Sequence, residues 1–257
     1  MSETAGADHY HAYLGPVPVG DGPQIAWLHG WGLTHESLVG LAQLYERSHG
    51  NHLFDLPGFG RTNMLAQGAG TGDYAEAMAG ALKLLGGGKF TLVGHSFGCR
   101  IAVRLAAEYP ELVENLVLIS AAGIPRDRSL AWKMRARTIK LMGRLAGLAD
   151  RLFHTAYRPR WARRYGSADY RNAGLLRKTF LRVVNEDLSQ VAAGISQRVL
   201  LIYGAEDSEA PPDIGEKYAA VLPDARLHVL PGYGHFDILE RGKHQCQRLI
   251  DEFLGGG

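Results

Sequence analysis

A serine flanked by glycines two residues either way, in Gly94-His95-Ser96-Phe97-Gly98, follows the apolar run Phe90-Thr91-Leu92-Val93 and precedes a helical pattern from Cys99 to Tyr109. Strand, sharp turn, helix is the context in which G-x-S-x-G presents a nucleophile. The turn strains the serine backbone, side chains at the two glycine positions would collide, and Oγ projects clear with a helix N-terminus behind it. Elsewhere the same string is only a glycine-rich turn, so its meaning depends on partners. A serine hydroxyl is a poor nucleophile at neutral pH; it needs a base, and the base needs an orienting acid. The candidate base is His235, which follows the short apolar run Leu227 to Leu230. Of the 11 histidines, His9, His11, His49, His52, His154 and His244 stand in no catalytic context, and His29 and His95 sit in motifs but read as structural. The candidate orienter is Asp207, in Tyr203-Gly204-Ala205-Glu206-Asp207 just past Arg198 to Ile202; Glu206 competes, and the spacing after Gly204 favours Asp207.

Acyl transfer through a serine also needs donors for the oxyanion of the tetrahedral intermediate, and losing one typically costs roughly 10²–10³ in kcat. One donor is expected to be the N–H of Phe97, next to the nucleophile. The second is expected from the main chain of Trp31, in the loop His29-Gly30-Trp31-Gly32 after the apolar run Gln24 to Leu28. Both aromatics are also expected to wall a substrate pocket. The turn Asp55-Leu56-Pro57-Gly58-Phe59-Gly60-Arg61 reads as support: its glycines suit positive φ, Pro57 stiffens entry, and Asp55 and Arg61 could pair to fix the loop.

Short apolar runs near 10–14, 24–28, 51–55, 90–95, 115–120, 198–203 and 226–230 alternate with helical patterns near 35–47, 72–86, 97–109, 212–222 and 237–254. That rhythm predicts an α/β fold with a mostly parallel sheet covered on both faces. It stops from Ile124 to Ser196, where about seventy residues carry helical periodicity (Leu130, Met134, Ile139, Leu141, Leu145, Leu148, Leu152). This is too long for a loop. It reads as a helical cap over 124–196, inserted between the sixth and seventh strands above the site, with 1–123 and 197–257 forming the core domain. Trp132, Met134, Met142, Phe153, Tyr157 and Trp161 are expected to pack the cap on the core or to line an acyl pocket. Tyr165 to Asn172 reads as a polar turn between cap helices, and Gly255 to Gly257 as a frayed tail.

The segments Leu28 to Gly32, Asp55 to Arg61, Gly94 to Gly98, Gly204 to Asp207 and Gly234-His235 together resemble the signature series of the α/β-hydrolase superfamily, from about Gln24 to Leu254 and most weakly between Ile124 and Ser196. The resemblance implies hydrolysis of ester, thioester, amide or carbon–carbon bonds without a cofactor. The order Ser, Asp, His is the one expected of that fold. Serine at the elbow sets the chain apart from the epoxide hydrolase and dehalogenase branches, where an aspartate stands. The HGWG loop, the DLPGFGR turn and a basic cap are similar to those of pimeloyl-[acyl carrier protein] methyl ester esterases, whose cap arginines meet an acidic carrier; GHSFG departs from their more usual elbow.

From Arg126 to Arg182 the chain carries 16 Lys and Arg against three Asp, a net +13, so with a total of +2 the rest is −11. This is either a solvated basic face or a means of steering an anionic partner such as an acyl carrier protein, coenzyme A or an acid-bearing ester; no aromatic-interleaved nucleic-acid motif accompanies it. Met1 to Asp8 is polar and acidic without a signal pattern, no apolar run reaches the ~18 residues of a membrane span, and neither metal spacing nor a disulfide framework is present in the two cysteines and the histidines. The expectation is a cytoplasmic serine hydrolase of carboxylic esters working through Ser96, Asp207 and His235 with Trp31 and Phe97 N–H groups at the oxyanion. A thioesterase, a carbon–carbon bond hydrolase and a non-enzymatic receptor on the same fold stand as alternatives.

Overall fold

The computed structural model describes residues 2–6, 9–15, 22–86, 88–127, 130–153, 155, 157 and 168–255. Its strands are β1 (Ser2–Gly6), β2 (His9–Leu14), β3 (Gln24–Leu28), β4 (Gly50–Phe54), β5 (Phe90–His95), β6 (Val113–Ile119), β7 (Arg198–Gly204) and β8 (Ala225–Leu230). They form one sheet in the order β1-β2-β4-β3-β5-β6-β7-β8. β1 and β2 pair antiparallel, as do β2 and β4; every pairing from β4 to β8 is parallel. Parallel pairing puts the C-terminal ends of β3, β5, β6, β7 and β8 along one edge, where an open α/β sheet places its ligand.

Ten helices are described: α1 (Glu36–Ala42), α2 (Thr71–Leu85), α3 (Phe97–Glu108), α4 (Leu130–Phe153), α5 (Ala168–Asn172), α6 (Arg177–Asn185), α7 (Ser189–Ala193), α8 (Pro212–Val221), α9 (Asp237–Glu240) and α10 (Lys243–Gly255). Alternate residues of each central strand face opposite layers. Leu92, Leu116, Leu118 and Leu201 pack with α2, α3 and α8; Val93, Val117, Ile119, Leu200 and Ile202 pack with α1, α9 and α10. Burying each such side chain contributes roughly 1.5–3 kcal/mol. Two buried polar side chains partner each other and the main chain: Trp27 Nε1–H donates to Asn51 Oδ1 at 2.9 Å, and Asn51 Nδ2–H to the Leu14 carbonyl at 3.0 Å.

The mostly parallel, helix-covered sheet expected from the alternating pattern is the observed one. β1 lies outside that pattern because SETAG has no apolar alternation, and an edge strand needs none. With β1 counted, the long helical stretch falls between the sixth and seventh strands. The expected C-terminal helix is two, α9 and α10, because the N–H groups of Arg241 and Gly242 both turn back to the Asp237 carbonyl. Residues 168–172, read as a turn, form α5; 165–167 and Gly256–Gly257 lie outside the described residues.

Of the six apolar groups expected to pack the inserted segment or to line a pocket, the four whose side chains are described stay largely in solvent. Met134, Met142, Phe153 and Tyr157 are exposed, Phe153 by 72%, as are Leu141, Leu145, Leu148 and Leu152. Periodicity records that a helix has an apolar face, not what that face meets. The Trp132 side chain and Trp161 lie outside the described residues. Among the described residues the buried apolar groups of the segment include instead Phe180 and Val183 of α6 and Leu188, Ala192 and Ile195 in and around α7.

Candidate active site

β5 ends one residue before Ser96, and α3 begins one residue after it. Ser96 sits at φ 50°, ψ −104°, a conformation that non-glycine residues rarely hold and that is found at functional sites. The tightness behind it explains the glycines: a Cβ on Gly98 would overlap the Leu28 carbonyl, and one on Gly94 would strike the Cys99 main chain. The Ser96 N–H is fixed to the Ile119 carbonyl at 3.0 Å. Cys99, on the same helix, is buried and carries a free thiol.

The loops after β7 and β8 carry the other two residues and are joined to each other. Ala205 N–H donates to the Leu230 carbonyl at 2.9 Å and Glu206 N–H to the Tyr233 carbonyl at 3.0 Å. Within this frame His235 Nδ1–H donates to Asp207 Oδ2 at 2.7 Å, and His235 Nε2 lies 3.0 Å from Ser96 Oγ, placed to accept its proton. The second carboxylate oxygen, Oδ1, accepts the N–H groups of Glu209 and Ala210 at 2.9 and 2.8 Å. Burial opposes a charge on Asp207, but the bonds from His235 and from the Ala210 N–H outweigh it and hold the carboxyl below its usual range. Glu206, the competing acid, points outward and is exposed.

Trp31 and Phe97 line the same cavity as Ser96 and His235, a space of about 570 Å³. Phe97 is the first residue of α3, where N–H groups have no partner within the helix. Trp31 lies in the turn closed by Leu33 N–H to the Gly30 carbonyl, 3.2 Å. The Trp31 ring meets Phe97 at 5.2 Å, Phe59 at 5.0 Å and Phe180 of α6 at 5.1 Å between centroids. Phe180 thus closes the aromatic wall from the inserted segment.

His29 and His95 serve as structure. His29 donates from Nδ1 to the Gly30 carbonyl and accepts the Leu56 N–H on Nε2, tying the loop after β3 to the turn after β4; burial pushes it down to about 4. His95 donates from Nε2 to the His235 carbonyl at 2.9 Å, and burial pushes it down to about 3, so it stays neutral and anchors the main chain of His235. In the turn after β4, Asp55 does not take the Arg61 guanidinium. It accepts the Arg61 N–H at 2.9 Å, with both His35 N–H groups on its other oxygen, while the guanidinium lies over the Tyr10 ring. The loop closes on its own amides, which are nearer than a long side chain.

Four residues of the site carried no motif. Glu209 Oε2 stands 3.7 Å from His235 Nε2. Ser120, at φ 50° just past β6, is fully buried, and its hydroxyl lies against the Asp207 carboxylate without reaching hydrogen-bond geometry with any group among the described residues. Phe180 and Arg100 complete the cavity wall. The only local signal was place for three of them, Ser120 at a strand end, Arg100 one turn past Ser96 and Glu209 two residues past Asp207, and Phe180 had none.

Comparison with known proteins agrees with this architecture. A pimeloyl-[acyl-carrier protein] methyl ester esterase of Nitrosomonas europaea is 30% identical over 237 residues, 86% of this chain and 91% of that protein. A 2-hydroxy-6-oxononadienedioate/2-hydroxy-6-oxononatrienedioate hydrolase of Comamonas testosteroni is 30% identical over 222 residues, 80% of this chain and 77% of that one. Among solved structures, a thermophilic esterase from Thermogutta terrifontis superposes with a TM-score of 0.66 at 22% identity, covering 96% of this chain and 94% of that one. The family described as alpha/beta hydrolase fold matches residues 25–242, and the chain belongs to it.

Proposed function

We propose that this hydrolase is a serine esterase acting on carboxylic esters through an acyl-enzyme. The observation that carries the reading is the continuous hydrogen-bond line Ser96–His235–Asp207, opening onto a cavity with an aromatic wall. His235 takes the Ser96 proton as Oγ attacks the ester carbonyl, and Asp207 holds the imidazole tautomer and its charge. The N–H groups of Trp31 and Phe97 receive the oxyanion. His235 then protonates the leaving alcohol, and a water, activated by the same imidazole, releases the acid. We take 124–196 as a cap whose α6 shapes the acyl pocket and excludes water.

The relatives named above are an ester hydrolase in one case and a hydrolase of an oxo-dienedioate in the other, so the bond cleaved is decided by substrate rather than by these three residues. The test is hydrolysis of p-nitrophenyl esters from acetate to decanoate with Ser96→Ala as control. Turnover abolished in Ser96→Ala supports the esterase. Turnover that persists in Ser96→Ala refutes the nucleophile, and tight ligand binding without turnover by the intact protein turns the reading toward a receptor.

A second reading narrows the substrate to an ester carried on an acidic protein. It is favoured by the exposed Arg135, Arg137, Arg144 and Arg151 of α4 and by the carrier-protein esterase among the relatives. Pull-down with an acyl carrier protein should succeed at low salt and fail at high salt; failure at both removes it.

A further inference from the structure

We propose that Arg100 anchors a free carboxylate on the substrate, so that the preferred ester is a half-ester of a short dicarboxylic acid. The inference rests on the reading of Ser96 as an esterase nucleophile and adds the chemical class of what it attacks. Arg100 lies on α3 four residues past Ser96, one turn or ~6 Å along the axis. It is only 8% exposed, and it lines the cavity that holds Ser96 and His235.

A guanidinium carries five N–H donors in a planar fork. Among the described residues that of Arg100 makes one hydrogen bond, from Nη1 to the main-chain carbonyl of Glu186 at a long 3.3 Å, and no carboxylate comes within ion-pair distance. Glu186 offers longer-range attraction, but its carboxylate is engaged elsewhere. It accepts the N–H and hydroxyl of Thr71 and faces Arg182 Nε at 3.9 Å. The other acids of the cavity, Asp169 and Glu209, have His235 as their partner: Glu209 Oε2 lies 3.7 Å from its Nε2, and the imidazole favours the charged form of Asp169.

A buried cation without a paired anion is costly to keep. Contact with one carbonyl does not call for a guanidinium, since an amide donor would serve. An incoming carboxylate would accept two parallel N–H bonds from the unspent donors, the pairing for which arginine is suited. The apolar surfaces of Trp31, Phe180 and Val183 suit the few methylenes between that carboxylate and the ester carbonyl.

The experiment compares kcat/KM for monomethyl succinate, glutarate and adipate with that for methyl pentanoate, in the wild type, Arg100→Gln and Arg100→Lys. The wild type should prefer one of the half-esters. Arg100→Gln should lower the ratio of half-ester to neutral-ester kcat/KM by roughly 10–10²-fold, the worth of hydrogen bonds to a charged group. Arg100→Lys should retain part of it, as a point charge without the fork. Free glutarate should also raise the melting temperature of the wild type and not that of Arg100→Gln, a readout that needs no turnover. If Arg100→Gln does not fold, Arg100→Lys decides by the same ratio and the same shift. A wild type that treats charged and neutral esters alike, or variants that change both equally, overturns the proposal while leaving the esterase reading intact. Absence of turnover on every ester sinks the esterase reading, and the glutarate shift then still accepts or rejects the anchor.

Discussion

Replacing Asp207 by Asn tests the geometry at its most specific point. Oδ1 of Asp207 meets the N–H groups of Glu209 and Ala210 at 2.9 and 2.8 Å, and only an oxygen can satisfy both. The introduced amide must therefore turn its NH2 toward His235, where Oδ2 now lies 2.7 Å from Nδ1. Two donors cannot face each other, so Nδ1 gives up its proton to Nε2. Nε2–H then points at Ser96 Oγ, which loses its base. In the chymotrypsin triad the same exchange costs ~10⁴ in kcat, which corresponds to about 5 kcal/mol of barrier. Folding should suffer much less, about 1–2 kcal/mol, because the two amide bonds to Oδ1 remain and a buried charge is removed. The assay is kcat on p-nitrophenyl butyrate together with a thermal melt. A kcat within tenfold of the wild type in a folded Asp207→Asn protein refutes the reasoning. Glu206→Gln is the companion control; its exposed side chain should leave kcat unchanged, and a collapse there would exchange the roles of the two acids.

Acid should destabilise the fold well above the usual carboxylate range. Burial holds His29 and His52 down to about 4 and His95 to about 3, against 6.5 in the unfolded chain. The unfolded chain therefore binds more protons as pH falls, so the stability these groups contribute is complete above 6.5 and is lost through the window down to about 4, and to about 3 for His95. Near pH 5 each costs about 2 kcal/mol; a urea midpoint that does not move between neutral pH and that point contradicts it. Gly98→Ala should cost about 3 kcal/mol or more, since the new Cβ meets the Leu28 carbonyl and neither main chain can retreat. Gly40→Ala, inside α1 with open space around it, should instead gain about 0.5–1 kcal/mol. Chemical denaturation of the pair, read with intact kcat for Gly40→Ala, checks both.

The legible parts of this chain are those where chemistry and backbone geometry constrain the same few residues. Gly94 and Gly98 are demanded by the close passage of α3 under β3 and β5, so a five-residue string reports a tertiary contact. The central strands were legible because both faces are buried, which makes Leu92-Val93 or Leu200-Leu201-Ile202 continuously apolar. β1 was not, because an edge strand can be satisfied by backbone pairing alone. The inserted segment was legible as helical but not in its packing: the exposed face of α4 and the buried face of α6 have the same period.

By itself the sequence determined the alternation of strand and helix, the strained turn at Ser96 and the identity of the candidate base and acid, because each is written in local spacing. Only the tertiary structure decided that loops 139 and 28 residues apart in the chain bring His235 to within 3.0 Å of Ser96 and 2.7 Å of Asp207. It alone placed Phe180 against Trp31, the hydroxyl of Ser120 beside Asp207 and an under-partnered Arg100 in the cavity wall. Those positions follow from parallel strands gathering their C-terminal ends at one edge, a juxtaposition that no local period encodes.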